Sequence, residues 1–546
     1  MTPHRRYTIA LAIVLLSLSW FATLDYRKLI KPDEGRYAEI AREMAQSGDF
    51  VTPRLNGIKY FEKPPLQYWA TASAFRLFGE HDWSARLWPA LTGFFGLIFA
   101  AFCAWRSFGA PAAIATAAVL ASSLLYFVIA HINTLDMGFT ALLSAALFAF
   151  ALGQRPAADR RWLWLAWAAL ALAVLSKGIV APLLLGATLV TYSVATRDIS
   201  FWSRLEWRIG LPIFFAIAGP WFIAVSLANP EFPRFFFIHE HFERFLTPGH
   251  RRPGPAWYFV PILLAGLLPW TTMALQALAA SWRVERGSEG FALRRLLVLW
   301  CLIVFAFFSV SSSKLPSYIL PLFPALALLS GPWLMQASEK SLRWHLVFVL
   351  VAVLIGLTLV PQLVARRADD ETPLFMMQAY GQWLMAGLGL LLVGALAALA
   401  LLRRHRLTAI IALALGGFGA HNSLLLGHES FATSNSSYYL ARQVAPLLPE
   451  GVPFYSVGMY EQTFPYYLRR TLTLVAYQDE FSFGLQQEPW RAVASMDEFV
   501  ERWQGGNEAF AIMTPQMFER LQASGLPMTV VARDARRIVV RQASGR

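Results

Sequence analysis

The feature that most constrains this chain is the recurrence of long apolar runs. A helix that crosses a membrane needs about 20 predominantly apolar residues. Runs of that order recur near residues 7–26, 83–105, 111–130, 134–153, 162–176, 178–196, 209–228, 256–281, 296–312, 315–336, 345–362, 381–402 and 407–427. They predict a polytopic α-helical membrane protein with about thirteen transmembrane helices. Composition agrees: 56% of the 546 residues are hydrophobic and only 15% are charged, against about 25% charged in a soluble domain. At Ser176-Lys177-Gly178 two runs nearly touch, so one long broken helix is the alternative there. Arg5 and Arg6 precede the first run as in a signal peptide, but no small-residue cleavage site follows, and the run is read as an uncleaved span.

The net charge of +13 sits in short basic clusters between the runs. With the amino terminus in the cytoplasm, alternate loops hold Arg155/Arg160/Arg161, Arg197/Arg204/Arg208, Arg283/Arg286/Arg294/Arg295, Lys340/Arg343 and Arg403/Arg404/Arg406. That is the distribution expected of cytoplasmic loops, so the charge is not read as nucleic-acid binding. Cys103 and Cys301 both fall inside apolar runs and predict no disulfide.

The same topology gathers the unusual polar motifs on the non-cytoplasmic face. The first loop, 27–82, carries Lys31-Pro-Asp33-Glu34-Gly-Arg36-Tyr37, with apolar residues at helical spacing through Met44. This predicts an amphipathic helix lying at the membrane interface, ended by Gly48-Asp49. Tyr60-Phe61-Glu62-Lys63-Pro64-Pro65 predicts the start of a second short helix. The loop 229–255 holds an aromatic, charged helix, Phe235 to Phe245, containing His239-Glu240-His241 and Arg244. After residue 427 the apolar runs shorten to strand length and alternate with helical patterns, which predicts a soluble α/β domain over 428–546 after a membrane domain over 1–427. The basic residues closing it, Arg533, Arg536, Arg537, Arg541 and Arg546, are read as solvated surface.

Several of these residues suit chemistry as well as structure. Asp33 and Glu34 are helix-capping residues by type, or carboxylates at a reaction centre. Asp136, where the third run meets the fourth, has the same two readings; an acid at the edge of a span is costly unless paired or used. Glu62-Lys63 is an exposed ion pair, or Lys63 is a point-charge phosphate ligand. Glu62, Glu240 and His241 are donor types for a divalent ion such as zinc, without a standard zinc spacing. Arg244 follows His241 by three residues and suits an anion. Lys314 and Tyr318 flank Pro316 at the mouth of a span, as an interfacial anchor or a phosphate contact. Lys177 is read as a snorkelling residue. Together they describe a membrane enzyme with paired carboxylates and a cationic pocket for a phospholipid-like substrate. A lipid transporter or flippase is the alternative from another class; it should show paired repeats with charges near the midplane.

The motifs Pro32-Asp33-Glu34-Gly-Arg36-Tyr37-Ala-Glu39-Ile, Arg42-Glu43-Met with Ser47-Gly48-Asp49, and Tyr60-Phe61-Glu62-Lys63-Pro64 resemble the first periplasmic loop of the lipid A aminoarabinose transferases. Glu240-His241-Phe-Glu-Arg244-Phe245 and Lys314-Leu315-Pro316-Ser-Tyr318-Ile319-Leu320 are similar to two later motifs of that family. The resemblance implies a GT-C glycosyltransferase fold, related to protein O-mannosyltransferases. It implies a polyprenyl-phosphate-sugar donor, with 4-amino-4-deoxy-L-arabinose moved from undecaprenyl phosphate to a lipid A phosphate at the periplasmic face of the inner membrane. The consequence is lowered lipid A charge and resistance to polymyxin and other cationic peptides. By position it implies Asp33 and Asp136 as catalytic acids, with Asp33 the more direct and Glu34 structural. Lys63, Arg244, Tyr318, Lys314, Tyr60 and Arg36 would contact the carrier phosphate or substrate, and Glu62 with His241 would hold a possible zinc or other divalent ion. No nucleotide, no nucleic-acid partner and a monomer among membrane lipids are expected. A relative moving its sugar to protein or to another glycolipid is the near alternative.

Overall fold

The computed structural model describes residues 14–243, 254–283, 291–506 and 508–542, without the side chains of 241–243 and 365. Helices carry the membrane part. Among the described residues, seven are long and apolar enough to cross a bilayer: Asp82–Phe108, Leu135–Gly153, Trp207–Ala228, Leu293–Val310, Glu339–Val364, Leu374–Leu401 and Arg406–Asn435. Two bent pairs, Ala110–Ala121 with Leu124–Ala130 and Phe259–Gly266 with Thr271–Trp282, raise the number to nine if each is one span. The described parts of the expected runs fall mainly on helix, but several of these helices are too short or too bent to span unaided. The hinge at Gly178, with φ of 80°, separates Arg161–Lys177 from Val180–Thr196. A residue with a side chain seldom takes that backbone, which is why the run breaks there.

Leu135–Gly153 is enclosed by its neighbours, whereas Trp207–Ala228 and Glu339–Val364 expose most of their length, as lipid-facing helices do. Leu374–Leu401 and Arg406–Gly427 cross closely because glycines meet there: a Cβ on Gly394 would lie 2.7 Å from the Gly416 Cα. Small residues let membrane helices approach and gain dispersion contacts. Both cysteines are free and buried in their helices.

Arg406–Gly427 is the last long helix. Beyond it lies a six-stranded sheet in the order β5-β4-β3-β6-β8-β7, formed by β3 Phe454–Val457, β4 Thr473–Val475, β5 Ala492–Val493, β6 Phe510–Met513, β7 Met528–Arg533 and β8 Ile538–Gln542. The four strands β5, β4, β3 and β6 are parallel, and β8 and β7 are antiparallel additions. The helices Met496–Gly505 and Pro515–Ala523 begin at Ser495 and Thr514, whose side chains accept from the amides of Glu498 and Met517. The domain is the expected α/β unit, but its closing arginines are not all surface. Arg537 is fully buried. It donates to Asp534 and Ser437 and to the carbonyls of Thr433 and Ser436, and so anchors the sheet to the segment leaving the last span.

The first loop is clamped between these two parts. Its helix, Asp33–Ser47, buries residues on every side, including Glu34, Tyr37, Glu39, Ile40 and Arg42. It is therefore not an interfacial helix with a wet face: the C-terminal domain covers it at Gly35 and Arg36, and the membrane part takes up Glu34. Gly35 makes this possible, because a Cβ there would meet the Gln462 backbone and Thr463 at 2.7 Å. The hairpin of β1 Arg54–Leu55 and β2 Ile58–Lys59 turns through Asn56 and Gly57, both at positive φ, as a tight two-residue turn requires. The Asn56 amide then donates to the Leu472 carbonyl and accepts from its N–H, both at 2.7 Å.

Candidate active site

The turn that opens Asp33–Ser47 separates two adjacent carboxylates by environment. Glu34 points inward and is fully buried. It accepts from Arg27 (2.8 Å), from Arg86 (2.7 and 2.9 Å) and from the amides of Ile30 and Asn133 (3.0 Å each). Burial pushes its carboxyl up, but the Arg27 and Arg86 guanidiniums outweigh that and hold it well below the usual carboxylate range. Such a group is a permanent anion that locks the loop to the helix at Arg86. Asp33 faces outward, with its side chain 31% exposed, and pairs with Arg36 at 3.0 Å. Neither capping expectation holds: Pro32 occupies the cap position of this helix and Thr134 that of Leu135–Gly153, with no side-chain cap bond at either.

Around Arg36 lie Tyr37, Tyr60 and Tyr68, all buried. Among the described residues the hydroxyls of Tyr60 and Tyr68 have no hydrogen-bond partner. Burial first, and then the Glu62 carboxylate, push both phenols well up, so they are neutral donors. Glu62 is half-buried beside them. Lys63 does not pair with the Glu62 side chain. Its ammonium donates to the Glu62 carbonyl at 2.7 Å and reaches the buried Glu240 carboxylate at 3.3 Å. Glu240 belongs to the π-helix Arg234–Glu243, which confirms a helix in the second loop. Phe61 and Phe232 share an apolar cluster with Leu175, and this draws the Glu62-Lys63 turn toward the end of Arg161–Lys177.

Asp136 stands at the start of Leu135–Gly153, and Asn133 just before it holds Glu34 through its amide and Gln67 through its side chain (2.6 Å). The second acid therefore belongs to the same neighbourhood as the first turn. Asp136 pairs with Lys177 and accepts from Ser317 at 2.8 Å. The Lys177 ammonium also lies 4.4 Å from the centre of the Tyr318 ring, within cation–π reach. Lys177 is thus not a snorkelling residue. The usable signal was an isolated Lys and an isolated Asp at span ends on one side, since such charges pair when they can. Lys314 is buried, and its ammonium donates to the carbonyls of Ser309 and Ser311 at 2.8 Å. It caps the carboxyl end of Leu293–Val310, a positive charge at the negative end of a helix. Arg244 and the side chain of His241 lie outside the described residues. Among the described residues no group of three His, Cys, Asp or Glu side chains converges as a metal site.

A multi-pass helical membrane domain bearing carboxylates and cations at one end, under an α/β cap, defines a membrane protein of the GT-C glycosyltransferase class. The model of the aminoarabinose transferase C-terminal domain matches residues 440–542, and that of dolichyl-phosphate-mannose-protein mannosyltransferase matches residues 62–223. The undecaprenyl phosphate-alpha-4-amino-4-deoxy-L-arabinose arabinosyl transferase of Pseudomonas paraeruginosa is 33% identical over 402 residues, covering 70% of this chain and 71% of that one. The Edwardsiella ictaluri protein of the same name is 32% identical, and the match spans 63% of this chain and 62% of that relative's length. The crystal structure of ArnT from Cupriavidus metallidurans bound to undecaprenyl phosphate superposes with a TM-score of 0.93 at 39% identity, covering 98% of both chains. An Archaeoglobus fulgidus oligosaccharyltransferase shares the fold alone, with a TM-score of 0.53 at 11% identity. The chain belongs to the aminoarabinose transferase family.

Proposed function

We propose that this protein transfers 4-amino-4-deoxy-L-arabinose from undecaprenyl phosphate to a lipid A phosphate, at the periplasmic face of the bacterial inner membrane. One observation carries the reading. The outward carboxylate of Asp33 stands on a turn locked by Glu34 and pairs with Arg36, in a chain that matches ArnT bound to undecaprenyl phosphate along 98% of its length.

An oxygen of the lipid A phosphate attacks the anomeric carbon of the sugar. The bond from that carbon to the carrier phosphate breaks as the new carbon–oxygen bond forms, and its electron pair leaves with undecaprenyl phosphate. A single displacement inverts the anomeric centre. The acceptor phosphate is already ionised, so Asp33 has no proton to remove. It orients the sugar and stabilises positive charge at the ring or the amine. Lys63, Arg244 and Tyr318 hold the carrier phosphate, with Lys63 exchanging the Glu240 carboxylate for it. The product lipid A carries less negative charge, which lowers its attraction for cationic peptides such as polymyxin.

A divalent ion, zinc by donor type, belongs to this proposal at Glu62 and His241. The described residues supply only Glu62 to that pair. Equal transfer by chelator-treated parent and by Glu62→Ala would rule out a required metal. Mass spectrometry of lipid A from a transferase-null strain, with and without this gene, tests the function itself. The expected result is a gain of one aminoarabinose per modified phosphate; unmodified lipid A refutes it.

A further inference from the structure

The C-terminal domain does more than cover the first loop. One stretch of it, from Asp479 to Arg491, lies along the parts of the chain that carry the candidate site. Glu480, in the turn Asp479–Phe481, has a side chain only 8% exposed and sets a carboxylate oxygen against the Arg36 Nε as an ion pair. Its other oxygen accepts from the Gln462 side chain at 2.8 Å. Phe483 stacks on Phe235 with ring centroids 3.9 Å apart and lies 6.0 Å from Phe61, so it touches both the second loop and the Glu62-Lys63 turn. Gly484 admits the β2 strand so closely that a Cβ there would meet Ile58 and the Lys59 carbonyl at 2.4 Å. Glu488 closes the stretch by pairing with Arg54 at 2.9 Å and accepting from the Lys59 amide at 3.2 Å.

The contacts differ in what they can do. Phe483, Gly484 and Glu488 fasten the stretch. Glu480 acts on Arg36, and Arg36 is the group that pairs with Asp33 at 3.0 Å. A guanidinium presents several donors in a rigid fork and can serve two carboxylates at once. The Glu480 carboxylate stands against the Nε edge as an ion pair without a hydrogen bond, and the Nη1 donates to Asp33. Without Glu480 the guanidinium is free to turn, and both the direction and the field it gives the Asp33 carboxylate change. Displacing a reacting group by about 1 Å can cost about a hundredfold in rate.

We propose that Glu480 is a positioning residue of the transferase site: through Arg36 it sets the Asp33 carboxylate, which makes the C-terminal domain part of the catalytic apparatus. This rests on the proposed role of Asp33. The test uses the full chain in lipid nanodiscs with the undecaprenyl-phosphate-linked sugar as donor. Glu480→Gln should lower kcat at least tenfold and leave the donor KM within twofold, while Glu480→Asp should recover part of the loss. Gln462→Ala, which removes the second anchor of the carboxylate, should lower kcat in the same sense and more mildly. The double variant Arg36→Ala/Glu480→Gln should be no slower than Arg36→Ala, because the effect runs through Arg36. A parental kcat for Glu480→Gln, or losses that multiply in the double variant, overturns the proposal. Hydrogen–deuterium exchange gives a readout independent of any substrate. Glu480→Gln should speed exchange at residues 33–37 and leave the sheet at β3 and β6 unchanged. Unchanged exchange at 33–37 overturns the positioning role even if the parent proves to use another donor; a parent inactive on this donor, with the exchange effect present, refutes the proposed function instead.

Discussion

Replacing Glu34 by Gln separates the two adjacent carboxylates. Glutamine keeps the volume, but it offers one acceptor oxygen where Glu34 uses two, and it turns an amide toward guanidiniums that can only donate. Arg27 and Arg86, both buried, then lose their counter-ion, and the amides of Ile30 and Asn133 lose their acceptor or share it. Removing one partner of a buried ion pair costs about 3–5 kcal/mol, which is roughly two to four orders of magnitude in the unfolding equilibrium. The exposed Glu339, which serves Arg343 and Arg403, provides the control; neutralising it should cost less than about 1 kcal/mol. The assay is thermal and denaturant unfolding in detergent, followed by tryptophan fluorescence. The parent should also lose stability in acid. The folded-state pKa of Glu34 lies below its ordinary value of 4.5, so its contribution is full above that value and is lost as pH falls further below it. Glu34→Gln should remove that acid dependence. Stability of the Gln variant within about 0.5 kcal/mol of the parent, the range of an ordinary surface change, would refute the structural assignment of Glu34.

Asp33→Asn should behave oppositely: unfolding close to parental, and sugar transfer reduced about a hundredfold or more, as for loss of one preorganised charge contact. Lys63→Ala should weaken undecaprenyl phosphate binding by about 1.5–3 kcal/mol, the worth of a hydrogen bond to a charged group; isothermal or fluorescence titration with parental affinity would exclude Lys63 from the phosphate site. Burial pushes Glu461 up to about 7 despite Arg537 at 3.4 Å. With the folded pKa raised, stability is full below about pH 4.5 and falls as pH rises through 7, by on the order of 3 kcal/mol at most. Glu461→Gln should flatten the unfolding profile between those values, and an unchanged slope would assign the dependence elsewhere.

Much of the fold was legible because it depends on local composition. The apolar runs, the break at Gly178, the strands from Phe454 to Val540 and the helix ended by Gly48 follow from residue type and spacing within a few turns of chain. Misreadings arose where a partner lies far along the chain. Helical spacing assigns a wet face to Asp33–Ser47, whereas Arg86 takes up Glu34 and a domain more than four hundred residues later covers Gly35 and Arg36. By residue type Arg537 is indistinguishable from its basic neighbours; its acceptors at 433–437 lie far back along the chain. Lys177 looked like a snorkelling residue because its Asp136 partner is 41 positions away.

The sequence by itself determined a membrane protein with an α/β tail, and it singled out Asp33, Lys63 and Asp136. Charged groups beside hydrocarbon cost so much that their presence is a signal without any coordinates. Only the tertiary structure decided what each charge is for. Glu34 is spent on two arginines, Lys314 on helix-end carbonyls and Lys177 on Asp136, while Asp33 keeps an outward carboxylate steered by Arg36 and Glu480. Neighbours in sequence share residue type but not environment, and burial with its partners sets whether a charge is structural or available for chemistry.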